Sequence, residues 1–242
     1  MDEKKTHVEV AEPTVNVRYL ADYMAGSERK KRAIAEACKY RPIARLIQHN
    51  EAKAAIGAAI LAGPFDVQAL KDRAKFIRDK MAADDHEALT NEANADYVHR
   101  FAMICGGMKL PNGELSPGKQ YPAKDINGVK VAFKPNLMVR RPNQKTNAMD
   151  LGAIMFRYAK GKALPPLVAD YQSAAILGIL ADYENGASDV PHKALCLTFD
   201  GYTGTFYKAP GAAVSMWANM QAACAYIAER WPNIKPPKNS IL

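Results

Sequence analysis

The sequence lacks any run of about 18 apolar residues, the length a membrane-spanning helix requires. Its four cysteines, Cys38, Cys105, Cys196 and Cys224, lie far apart with no paired spacing. That excludes a zinc knuckle and a disulfide framework and reads as buried, reduced thiols in a cytoplasmic protein. The first sixteen residues mix both charges and lack the apolar core of a secretory signal. There is no G-x-S-x-G, and His7, His49, His86, His99 and His192 form no metal-type pair. Acyl transfer and histidine-held metal chemistry therefore find no support. The stretch GELSPGKQ (113–120) fails as a phosphate loop, because Gln120 stands where a hydroxyl must hold Mg²⁺. Pro122, close behind it, opposes the helix that such a loop must open.

The most informative shortage is of acid. Residues 101–165 carry 11 Lys or Arg against 3 Asp or Glu, an excess equal to the net charge of +8 for the whole 242-residue chain. A positive field concentrated in this way suits a polyanion better than a neutral small molecule.

Periodicity divides the chain. The first part is expected to be helical over 17–105, after a loose tail at 1–16. Ser27 caps a helix that Pro42 halts, and Asp66 caps another. Between them, Pro42 is expected to open a helix carrying Ile43, Leu46 and Ile47 on one face. Gly and Pro recur through 106–128, which predicts a long loop. Residues 129–232 then read as a small α/β core: β-like runs VKVAFKPNLMVRR and AIMFRYAKGK, a helix through LVADYQSAAILGILADYE, and a closing helix. Between those helices, two apolar runs flank Asp200-Gly201 as a hairpin. Pro135 marks a bulge, an edge, or a turn between two short strands. Residues 233–242 read as a second tail. The expected class is α+β, a helical first half followed by a small mixed sheet flanked by helices.

The order strand, strand, Tyr-Gln helix, strand in residues 125–230 resembles the RecB/Cas4-like branch of the PD-(D/E)XK nuclease fold. In that family an acid on one core strand and a D/E-x-K on the next hold Mg²⁺, which meets the anionic phosphodiester. The resemblance places Asn136 near the first acid, Arg157 near the second and Lys160 as the nearest lysine. Gln172 lies in the following helix, with Ile176 where the family has tyrosine. An amide and a guanidinium replace two carboxylates, so the resemblance implies a degenerate core without catalytic residues, metal or cofactor.

The basic residues then carry the reading. Lys130, Lys134, Arg140, Arg141, Lys145, Arg157, Lys160 and Lys162 are expected to share a face and to track the phosphates of a nucleic acid. The expected function is non-catalytic nucleic-acid binding within a bacterial defence or mobile-element assembly. Two alternatives stay open: a metal-dependent nuclease with a relocated acid such as Asp150 or Asp200, and an adaptor subunit that uses its apolar helices to bind a protein, with Trp217 and Trp231 as core or interface anchors.

Overall fold

Alternation along one central strand organises the molecule. In the computed structural model, which describes residues 5–44, 46–183, 189–238 and 240–242, the strand Met149–Arg157 is buried on both sides. Leu151 and Ala153 face one apolar cluster, while Ile154 and Phe156 face another. This follows from the two-residue period of a strand, and a strand apolar on both faces needs cover on both.

In chain order the elements begin with β1 (His7–Glu9), β2 (Thr14–Asn16), α1 (Val17–Met24), α2 (Glu28–Lys39) and β3 (Tyr40–Pro42). Three helices follow: α3 (Asn50–Ala62), α4 (Val67–Arg78) and α5 (Asp85–Ile104). Then come β4 (Glu114–Pro117), β5 (Lys124–Ile126), β6 (Val129–Ala132), β7 (Leu137–Pro142) and β8 (Met149–Arg157). The chain closes with α6 (Pro166–Tyr183), β9 (Asp189–Asp200), β10 (Thr205–Lys208) and α7 (Ala213–Arg230). Side-chain caps start four of the helices, with Asn16, Ser27, Asp66 and Asp84 each accepting a backbone N–H from the first turn.

The main sheet has the order β10-β9-β8-β7-β4. β7 and β8 are antiparallel, α6 crosses over, and β9 lies parallel to β8 with Arg157 opposite Asp200. On one face, α3, α4 and α5 pack through Ile56, Ile60, Ile77 and Phe101. On the other, α1, α6 and α7 pack together with a three-stranded sheet, order β2-β6-β5. The fold is thus α+β, with a mixed sheet flanked by helices, as the periodicity predicts. Among the described residues no helix is long and apolar enough to cross a membrane.

The segment boundaries differ from the sequence reading in three places. Residues 5–16 are not a loose tail: β1 pairs with β3, and β2 runs parallel to β6 with buried Val15 opposite buried Val131. The 17–105 region contains β3, because Tyr40–Pro42 pairs with His7–Glu9 instead of opening a helix; Ile43, Leu46 and Ile47 are exposed, and α3 begins only at Asn50. The 106–128 segment holds β4 and β5, so it is no continuous loop. At Pro135 the apolar run splits into two short strands, one of the outcomes the proline suggests; β6 and β7 belong to different sheets. The readings that fall on residues 1–4, Arg45, 184–188 and Asn239 lie outside the described residues.

The end of the chain is also anchored. Lys39 is buried, and its ammonium donates to the carbonyls of Trp231 at 2.9 Å, Ile234 at 3.2 Å and Pro232 at 3.3 Å, with Glu9 at 3.4 Å. Trp231 is itself buried and donates Nε1–H to the Val10 carbonyl at 3.0 Å. Beyond it, the Thr6 N–H donates to the Ile241 carbonyl at 2.9 Å, and the Ile241 N–H donates to Thr6 Oγ1 at 2.9 Å. Lys39→Met should therefore lower the unfolding free energy by about 2 kcal/mol, since it removes charged donors from several carbonyls at once. Urea titration checks this, and an unchanged midpoint would show that the lysine does not hold the closing segment.

Candidate functional site

At the end of β8 a cavity of about 700 Å³ opens between the sheet and α3. Four cations line it, Arg18, Lys53, Lys134 and Arg157, and no lining residue carries a carboxylate. Each cation comes from a different element. Arg18 is on α1, Lys53 on α3, Lys134 on the link between β6 and β7, and Arg157 is the last residue of β8.

α3 supplies the wall. Asn50, Ala54, Gly57, Ala58 and Leu61 recur at helical spacing on the side turned to the cavity, and Lys53 lies beside them. The opposite side buries Ala52, Ile56 and Ile60 in the core. Pro117, the last residue of edge strand β4, and Gly118 just after it close another wall. A β-carbon at position 118 would meet the Pro135 carbonyl oxygen at 2.0 Å, so only glycine lets these two backbones approach.

Arg157 is 7% exposed and needs a partner. Its Nη2 donates to Asp22 Oδ1 at 2.7 Å and its Nη1 to the Arg18 carbonyl at 3.4 Å. Burial pushes the guanidinium's pKa down and the Asp22 carboxylate opposes that push. A second cavity of about 270 Å³ shares Arg18 and Arg157 and adds Lys30, Lys162, Asp22 and Asp200.

Lys53 has no such relief. Burial pushes its ammonium down to about 8, and the neighbouring Arg18 and Arg157 charges push the same way. Gln172 on α6 is fully buried at the cavity wall, and neither its Oε1 nor its Nε2 has a hydrogen-bond partner among the described residues. Asn136 is occupied: its Oδ1 accepts the Phe156 N–H at 2.7 Å while its own N–H donates to the Ile154 carbonyl at 2.8 Å. The side chain extends the β7–β8 ladder past Pro135, which has no N–H to offer.

The eight basic residues expected on one face are spread over several places. Lys134 and Arg157 line the main cavity, and Lys162 lines its neighbour. Lys160 is close in sequence but pairs with Asp96 at 3.0 Å, outside both linings. Arg140, Arg141 and Lys145 lie at the far end of the β7–β8 hairpin, where Arg140 pairs with Asp189 at 2.8 Å and Arg141 with Asp150 at 3.0 Å. Lys130 belongs to the other sheet and pairs with Glu12. Antiparallel pairing brings Lys134 and Arg157, from the two ends of the basic run, to one end of the hairpin and sends its middle, Arg140 to Lys145, to the other. Arg18 and Lys53, which the sequence reading did not single out, take the vacated roles. The one available signal was Lys53 itself, the last charge before the uncharged run AAIGAAILAGPF.

The residues do not fit a divalent metal. The two positions where the nuclease resemblance implies acids hold Asn136, whose oxygen is already bonded, and the cation Arg157. Among the described residues no group of three or more His, Cys, Asp or Glu could hold an ion. Asp150 is engaged by Arg141 and Asn143, and Asp200 by the N–H groups of Leu164 and Tyr202 and the Thr203 hydroxyl. Trp217 and Trp231 are buried in the chain's own core, the first of the two roles their size suggests. Compared with protein-family models and with curated proteins, the chain matches none of them.

The cavity opposes the stability of the fold that holds it. Between about 8 and the ordinary lysine value near 10.4 the unfolded chain keeps a proton that folded Lys53 gives up, so stability rises with pH across that window. Below about 8 the cost is present in full. Lys53→Met should therefore melt higher than the wild type at pH 7, with the difference shrinking as the pH rises from about 8 to about 10.4. Paired thermal melts across that range measure it; a constant difference would mean that Lys53 titrates normally.

Proposed function

We propose that the protein binds nucleic acid without cutting it, using a nuclease-like core in which a basic cavity replaces the metal-holding carboxylates. The observation that carries this reading is the cavity's charge: four cations from four separate elements and no acid in the lining. Asp22 pairs with Arg157; nothing in packing alone requires the other like charges to gather beside it, and their mutual repulsion disfavours it unless an anion joins them. Of the positions the nuclease resemblance singles out, Asn136, Arg157 and Gln172 line that one cavity and Lys160 lies outside it; the three that converge support the nuclease-like reading of the core. The positions that would have to hold metal for hydrolysis carry an amide and a guanidinium, so binding is the outcome favoured here. Its four free cysteines, all buried, suit a cytoplasmic setting, where thiols stay reduced.

Phosphate contacts release counterions, so affinity must fall steeply with salt. If all four cations meet phosphates of a single strand, the slope of log affinity against log salt should be about −3. Lys134→Ala and Arg18→Ala, both at exposed positions, should each weaken binding and reduce that slope by about 0.7. Lys130→Ala, on the other sheet, should change neither. Fluorescence anisotropy with labelled single-stranded and duplex oligonucleotides provides the measurement, and absence of binding to both in low salt would sink the proposal.

A further inference from the structure

Lysine and arginine are not equivalent in a basic cavity. A guanidinium keeps its charge wherever it stands, while a desolvated lysine gives up its proton and becomes an amine nucleophile. Lys53 stands where that loss is favoured. It is half-buried on α3 and lines the main cavity together with the apolar Ala54, Gly57, Ala58 and Leu61 of the same helix. The lining offers it no carboxylate, and no acid among the described residues relieves its ammonium. For holding phosphate alone an arginine would serve better here, because it would stay charged.

The charges that bear on Lys53 come from several elements and are of one sign. Arg18 on α1 and Arg157 on β8 both oppose its ammonium, and Lys134 of the β6–β7 link lines the same cavity. The acids nearby are engaged elsewhere: Asp22 by Arg157, Asp96 of α5 by Tyr158 and Lys160, and Glu51 of α3 itself by Arg73 and Lys80. His49, just before α3, is pushed toward its neutral form, by burial first and by the Lys53 charge next. Among the described residues α4, α5 and β4 add no charged group to the lining. At neutral pH about a tenth of the Lys53 amine is therefore free, against about one part in two thousand for an ordinary lysine. The cavity, at about 700 Å³, has room for a small ligand around that amine.

We infer that Lys53 captures, as an imine, an aldehyde that also carries phosphate, and that the other cations of the cavity hold the phosphate. The Nζ lone pair attacks the carbonyl carbon and the C–N bond forms. Both amine protons pass to the carbonyl oxygen, which leaves as water, and the carbon and nitrogen remain doubly bonded. No oxidant or reductant is needed. The aldehyde has two sources, a small phosphorylated aldehyde or the opened sugar of an abasic position in a strand; the second rests on the nucleic-acid reading above, the first does not.

The test treats the protein at neutral pH with glyceraldehyde 3-phosphate or with glyceraldehyde. Cyanoborohydride reduces any imine to a stable amine, and peptide mass spectrometry locates it. Lys53 should react ahead of the exposed Lys75 and Lys160 of the same molecule, and about tenfold faster with the phosphorylated aldehyde than with the uncharged one. Lys53→Met, expected to melt higher at this pH, should lose that adduct while the exposed lysines still react; this separates a lost nucleophile from a lost fold. Reaction at Lys53 no faster than at Lys75 and Lys160, or equal rates with the two aldehydes, overturns the inference. A second arm uses a labelled single strand with one abasic position, its binding followed separately by anisotropy. A reducible cross-link from that strand to Lys53 supports the abasic source, and binding without a cross-link overturns that source in favour of the small aldehyde. If the strand does not bind at all, the nucleic-acid reading fails, and the first arm alone upholds or overturns capture by Lys53.

Discussion

A guanidinium buried at the end of a central strand cannot stand without a counter-charge, and the pairing of Arg157 with Asp22 supplies one. Asp22 comes from α1, far away in sequence, so the ion pair fixes where that helix lies against the main sheet. Arg18, one turn earlier on the same helix, is thereby brought to the cavity, and its carbonyl takes the second guanidinium bond. One interaction thus joins the N-terminal helix to the sheet and sets the charge at its end. Asp22 offsets Arg157, which leaves Lys53, Lys134 and Arg18 as the excess.

The cavity concentrates features that a fold selected for stability alone would avoid. A lysine is held among cations, an amide is buried with both atoms unpaired, and two backbones approach so closely that only Gly118 fits. In the surrounding fold, caps start the helices, and strand alternation matches the cores on both faces. Several local rules broken together in one place are a physical mark of a site.

Much of this architecture was legible in the residues. Ser27 and Asp66 act as caps, and the hairpin after Phe199 pairs it with Phe206 across Asp200-Gly201. The crossover from β8 through α6 to β9 follows the pattern of apolar runs. What stayed hidden depends on partners remote in the chain. β1, β2 and β3 have three residues each and pair with segments that no local period announces. Residues 18, 53, 134 and 157 share no motif, and only the fold brings them to one cavity. The basic run over 130–162 was real as composition, yet a hairpin distributes its charges to both ends, and neighbouring acids pair with five of the eight. A charge count reports the total and not its direction.

The reciprocal bonds between Thr6 and Ile241 make the described chain nearly a closed ring. A peptide bridge of a few residues could join these positions without disturbing either sheet, and the backbone could then be cut at an exposed turn such as 143–147 to give new ends. The order in which the elements are synthesised would change while their neighbours in space stayed the same. The native connectivity is therefore one of several linear orders compatible with the same packed arrangement.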